Sequence, residues 1–159
     1  MSRFRSPLAR TSRLLALFLL AALAAAGIAA AAEPAGVAFA STPALRDGVL
    51  VRYLHTTARC VTCKKIEEDA AAAVREGFAA EIAAGKVLGE AVNIDEPAYK
   101  DLAQRYQLFT KTVVVSRIEG GREVSWKRLD EVWQLVRNRE AFFRYVQAEV
   151  AAAAKAGAS

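Results

Sequence analysis

Two cysteines and one histidine in 159 residues leave few ligands for metal chemistry. No second CxxC or CxxH is present, so the four ligands of a structural zinc site are lacking. No cysteine follows the apolar stretch near the N-terminus, which excludes a lipidated N-terminus, and the arginines before it are not adjacent, which speaks against the twin-arginine route. An excess of one charge is missing too. The formal net charge of +5 rests on Arg3, Arg5, Arg10 and Arg13; without residues 1–32, 18 of the 22 Lys+Arg face 17 Asp+Glu. A nearly neutral body gives no electrostatic case for nucleic acid as a partner.

What the N-terminus does have is the pattern of an export signal. Four arginines precede an apolar run from Leu14 to about Ile28, and Ala30-Ala31-Ala32 before Glu33 suits cleavage after Ala32. The competing reading is an uncleaved anchor in contact with the membrane, since residues 14–32 are uncharged and approach the roughly 20 needed to cross a bilayer. Alanine fills the second half and is weakly apolar, so the cleaved signal is preferred. Both readings put the domain outside the cytoplasm, periplasmic or otherwise extracytoplasmic. Residues 33–44, with Pro34, Gly36, Ser41, Thr42 and Pro43, read as a linker. The globular domain is assigned to residues 45–156.

Within it, residues 49–55 form a predicted strand and residues 64 to about 84 a helix, whose Ile66, Ala70, Val74, Phe78 and Ile82 make an apolar stripe that ends before Gly85. A second strand is expected over 87–94. A short helix should run from Pro97 to Tyr106, and a strand over 112–118 is apolar enough to be covered on both faces. Gly120-Gly121 turns a hairpin into a strand over 123–127, and Asp130 is expected to cap a final helix through Val132, Leu135, Val136, Phe142, Phe143, Val146 and Val150. The order β-α-β-α-β-β-α predicts an α/β fold, a mixed four-stranded sheet with helices on both faces.

The cysteines are Cys60 and Cys63, at the junction of the first strand and the first helix. CxxC in that setting is a redox motif of the thioredoxin type. At a helix N-terminus the Cys60 thiolate is favoured by unpaired N–H groups and the helix dipole, with Arg59 and Lys111 adding positive charge, so Cys60 is the candidate nucleophile. Cys63, one turn in, is the candidate resolving thiol. A static staple is the plainer reading of a Cys60–Cys63 disulfide. A bridge over two residues, however, closes too short a loop to restrict the unfolded chain much. His55 could tune the thiolate or carry a proton, although a histidine there more often just hydrogen-bonds its loop. Thr62 is a candidate donor to a thiolate and equally an ordinary first-turn residue. Trp126 and Trp133 are read as packing residues. No cofactor is called for. Cys60, Cys63 and His55 offer three ligands that suit trivalent arsenic better than zinc, and a dedicated metal site is the less favoured reading.

From Leu45 to Val150 the chain resembles thioredoxin. The likeness is carried in order by residues 49–54, Cys60-Val61-Thr62-Cys63-Lys64, Val92-Asn93-Ile94-Asp95, residues 102–108 and Gly120-Gly121-Arg122-Glu123. His55, Asn93 to Pro97, Leu108 to Thr112 and Trp126 to Trp133 are similar to a bacterial branch named as the F subunit of a nitrophenyl-compound nitroreductase and found with arsenic-resistance genes. The resemblance implies a thioredoxin-like fold and a disulfide oxidoreductase or electron carrier with protein thiols as partners and a membrane reductant or reductase upstream. Its alternative is an accessory subunit of a reductase or arsenic-resistance system that binds a thiophilic ligand. Two departures stand out. Lys111 occupies the place of the cis-proline that faces the disulfide in thioredoxins, and its peptide is expected to be trans, since a non-proline cis bond costs about 2.5–4 kcal/mol. Arg52 or Leu54 stands where thioredoxins bury an acid.

Overall fold

The computed structural model describes residues 45–156. The leader read over 1–32 and the linker over 33–44 lie outside them. Among the described residues no helix is long and apolar enough to cross a membrane.

Strands β1 (Gly48–His55), β2 (Val87–Asn93), β3 (Thr112–Glu119) and β4 (Arg122–Leu129) form one sheet in the order β2-β1-β3-β4. β1 and β2 run parallel, from Val49 opposite Val87 to His55 opposite Asn93. Such a pair needs a crossover, here α1 (Val61–Gly77) and α2 (Ala79–Ala83). β3 is antiparallel to β1 and β4 to β3. The β3–β4 hairpin turns through Gly120 and Gly121 at φ 56° and 75°, the left-handed region that glycine enters without steric cost. A 3₁₀ turn (Pro97–Tyr99) leads into α3 (Lys100–Arg105), and α4 (Val132–Leu135) and α5 (Arg139–Lys155) close the chain. The α/β architecture is therefore a mixed four-stranded sheet with helices on both faces.

Alternation along the central strands sorts the core. Val49, Val51 and Tyr53 of β1 and Val113 and Val115 of β3 pack against Ile66, Ala70 and Val74 of α1 and Phe142, Val146 and Val150 of α5. On the opposite face Leu54, Val92, Val114 and Tyr106 form a smaller cluster with Leu102 of α3. The run Val113-Val114-Val115 is thus covered on both faces, which explains its unbroken apolarity.

Several predicted boundaries shift. The first helix starts at Val61, with Cys60 as its N-cap, and breaks at Phe78, whose φ −137° and ψ 34° are not helical. Phe78 and Ile82 still pack against the core, and α2 stops before Gly85 as expected: Gly85 N–H donates to the Ile82 carbonyl and Lys86 N–H to that of Glu81, a Schellman closure. The predicted final helix is two helices, and Asp130 caps neither. Its carboxylate accepts from Arg128 Nε at 2.7 Å, while Asn138 Oδ1 caps α5 by accepting from Ala141 N–H at 3.1 Å. The fourth strand is longer than predicted, and the second ends one residue earlier, at Asn93.

Candidate active site

Cys60 and Cys63 are joined in a disulfide at the first turn of α1, with Cα atoms 5.0 Å apart. Their exposures differ: Cys60 is exposed, whereas Cys63 is 2% exposed. Helical periodicity produces this split. Cys63, Ile66, Glu67, Ala70 and Val74 share the inward stripe of α1, and Cys60 stands at its mouth, outside the first turn. Cys60 Sγ accepts a hydrogen bond from Cys63 N–H at 3.0 Å. The sulfur thus takes up one of the N–H groups that a helix start leaves unpaired.

Three elements hold this turn. From β1, the buried Tyr53 hydroxyl donates to the Cys63 carbonyl at 2.8 Å, and burial pushes its phenol up to about 12 against the opposing charge of Arg59. From the loop before α1, Arg59 pairs with Glu67, and its guanidinium carbon lies 5.9 Å from the centre of the Tyr53 ring. From the loop before β3, the Lys111 ammonium donates to the Ala58 carbonyl and lies 3.7 Å from Cys63 Sγ. Trp133 Nε1 donates to the Lys111 carbonyl at 2.7 Å, so the backbone of that loop is fixed independently of the lysine side chain. No peptide bond among the described residues is cis, so the Thr110–Lys111 bond is trans.

The remaining candidates take subsidiary places. His55 Nδ1 donates to the Thr56 carbonyl at 2.9 Å, which leaves Nε2 as an acceptor 3.4 Å from Arg59 Nη1. Burial, more than the nearby Arg59 and Lys111, holds the His55 pKa below its usual value, so the ring is neutral at neutral pH. Thr62 is exposed on the outer side of the turn, and no side-chain hydrogen bond at the site is Thr62's among the described residues. Arg59 is expected to add positive charge beside Cys60. Its guanidinium instead turns to Glu67, and its Nε is buried without a partner. The second strand's end fixes the Thr56–Arg59 loop: Asp95 accepts from Thr57 N–H at 2.8 Å and Asn93 Nδ2 donates to Thr57 Oγ1 at 3.1 Å. The Thr57 N–H bond is the main reason the Asp95 carboxyl titrates low.

Three contributors escaped the sequence reading. Glu67 is a 9% exposed acid one turn beyond Cys63; its signal was a carboxylate on an otherwise apolar stripe at i+4 from a motif cysteine. Tyr53 reads in sequence as any core aromatic of β1, and Trp133 reads as a packing residue although its indole N–H also anchors the Lys111 loop. Among the described residues no group of three or more His, Cys, Asp and Glu is gathered to hold a metal ion.

No family model and no curated protein matches the chain. Among solved structures it is similar to mitochondrial thioredoxin 3 from Saccharomyces cerevisiae in its oxidized form, at 16% identity and TM-score 0.39, covering 65% of this chain and 81% of that one. It is also similar to thioredoxin O2 from Arabidopsis thaliana in the oxidized state, at 17% identity and TM-score 0.37, covering 62% and 80%. Both identities are low.

Proposed function

We propose that the domain is a thiol–disulfide oxidoreductase or electron carrier working through Cys60 and Cys63. The observation that carries this is the asymmetry of the disulfide: one sulfur at the surface on a helix N-terminus, the other buried behind it. In the dithiol form, Cys60 is the sulfur a partner disulfide can reach, and the Cys63 N–H together with the helix dipole favours its thiolate. Cys60 attacks the partner, forming a mixed disulfide. Cys63 then attacks Cys60 Sγ, releasing the partner as a dithiol and restoring the internal bond. A staple would need neither the exposed sulfur nor the cap geometry.

The arginine-rich leader and apolar run support an extracytoplasmic location, and the likeness to the nitroreductase subunit branch supports a membrane reductant or reductase as neighbour. The test is to reduce the purified protein with dithiothreitol, add oxidised glutathione and count free thiols, while Cys63→Ser is probed for stable mixed disulfides. Cycling, with trapping through Cys60 alone, is expected. A bond that does not cycle and a variant that traps nothing would overturn the assignment, and retention of arsenite by the reduced protein would favour the ligand-binding alternative.

A further inference from the structure

We infer that Lys111 is the counter-charge of Cys63 as a leaving thiolate, and that it biases the pair towards accepting electrons, so that the favoured reaction is oxidation of a partner's dithiol. This rests on the exchange chemistry proposed above and makes its reverse, from the internal disulfide to the dithiol, the favoured direction.

An attacking thiolate reaches Cys60, because Cys63 is 2% exposed. As the new bond to Cys60 Sγ forms, the Cys60–Cys63 bond breaks and its electron pair goes to Cys63 Sγ, the sulfur 3.7 Å from the Lys111 ammonium. A second thiolate of the partner then attacks the partner sulfur of the mixed disulfide and expels Cys60. Two electrons pass from the partner, which becomes a disulfide, to the protein, which becomes a dithiol; the two protons of the partner's thiols balance those taken up by Cys60 and Cys63. Exchange is faster when the leaving thiol has a low pKa. The same lowering weakens Cys63 as a nucleophile in the reverse direction, and stabilising the reduced form makes a couple more oxidising.

The charged and titratable groups around the pair single out Lys111. Tyr53 of β1 faces Cys63 with a neutral hydroxyl spent on the backbone carbonyl. His55, at the end of β1, is neutral and directed at Thr56 and Arg59. Arg59 and Glu67 neutralise each other across the start of α1. Asp95, beyond β2, accepts from Thr57 N–H. Lys64 and Lys65 are exposed on α1, with Lys65 paired to Asp69. The only side-chain hydrogen bond to a cysteine sulfur among the described residues is that from the Lys111 ammonium.

The experiment equilibrates the purified protein, Lys111→Met and Lys111→Arg in glutathione buffers of stepped ratio. It also titrates thiolate absorbance in Cys60→Ser with and without Lys111→Met. Because Trp133 holds the Lys111 carbonyl and not its side chain, the loop should keep its place in each variant. At a pH above the Cys63 titration, loss of the ammonium should lower the equilibrium constant for reduction about tenfold or more, and it should raise that titration by at least about one pH unit, the scale of a unit charge at this distance even in bulk water. Lys111→Arg should stay near the parent. Equal constants, within about twofold, for parent and Lys111→Met overturn the inference while leaving the exchange chemistry standing. A parent that does not equilibrate with glutathione overturns both. If Lys111→Met melts well below the parent, Lys111→Gln replaces it and the thiolate titration decides.

Discussion

The two faces of the sheet are built on different terms. Towards α1 and α5 the sheet presents valines, Tyr53 and Leu129, and the helices answer with Ile66, Val74, Phe142, Val146 and Val150, a continuous apolar cluster. Towards α3 the apolar cluster is four buried residues, and beside it runs a polar network. Arg52 binds Glu90 at 2.5 Å and the Tyr106 hydroxyl at 3.1 Å; that hydroxyl donates to Glu123 at 3.0 Å, and Ser116 donates to the other Glu123 oxygen at 2.7 Å. Arg105 adds an ion pair to Glu123 at 2.5 Å. Area removed from water holds the first face, at roughly 25 cal/mol per Å². Mutual satisfaction holds the second, where a paired charge adds little net stability and an orphaned one is costly. Cys63 lies on the inward stripe of α1, the helix that packs on the first face.

The strongest way to break that contrast is Phe142→Ala, which should cost about 3–5 kcal/mol in denaturant unfolding by opening a cavity under α5. A cost below about 1 kcal/mol would mean that the first face is not the main core. Next comes Glu123→Gln, which removes the anionic partner of Arg105 and one acceptor oxygen of the Tyr106 and Ser116 hydroxyls; about 1–3 kcal/mol is expected from the same measurement. A change to apolar residues at Arg52 and Glu90 together should cost less than either alone, and a double-mutant cycle reads the difference.

Smaller effects appear with pH, and on both faces. Burial raises the phenols of both Tyr53, to about 12, and Tyr106, where Glu123 adds to the rise. Each therefore binds its proton more tightly folded than unfolded. Both contributions are complete below about pH 10 and are lost as pH rises through the folded-state titration, which for Tyr53 lies at about 12. Tyr53→Phe should remove its part of that alkaline loss and, by deleting the bond to the Cys63 carbonyl, cost about 1 kcal/mol at neutral pH. His55 works the other way. Its lowered pKa means that the unfolded chain binds more protons below about pH 6.5, so stability should fall as pH drops through that range. His55→Gln should flatten this acid limb in thermal melts at stepped pH.

Much of the first face was legible because it is written in local pattern. The triple valine of β3, the i+4 stripe of α1, Gly85 and the paired glycines each carry their meaning within a few residues. The helix break at Phe78 was not legible, since the stripe continues through Phe78 and Ile82 whether or not the backbone does. Asn138 carries no sequence signal that sets it above Asp130 as a cap; the break between α4 and α5 is what places it at the start of α5. At the site, CxxC and Lys111 were visible in the sequence. The partners that give them their chemistry were not. Glu67 turning Arg59 away and Trp133 fixing the Lys111 carbonyl both join residues from different elements.

Trp133 has a use of its own. Its indole is hydrogen-bonded to the residue whose side chain touches Cys63, while Trp126, the second tryptophan, packs edge-on against Tyr106 with ring centres 5.2 Å apart on the other face of the sheet. In a Trp126→Phe background the emission of the chain would come from one fluorophore wired to the sulfur pair, and the protein would report its own oxidation state without a label.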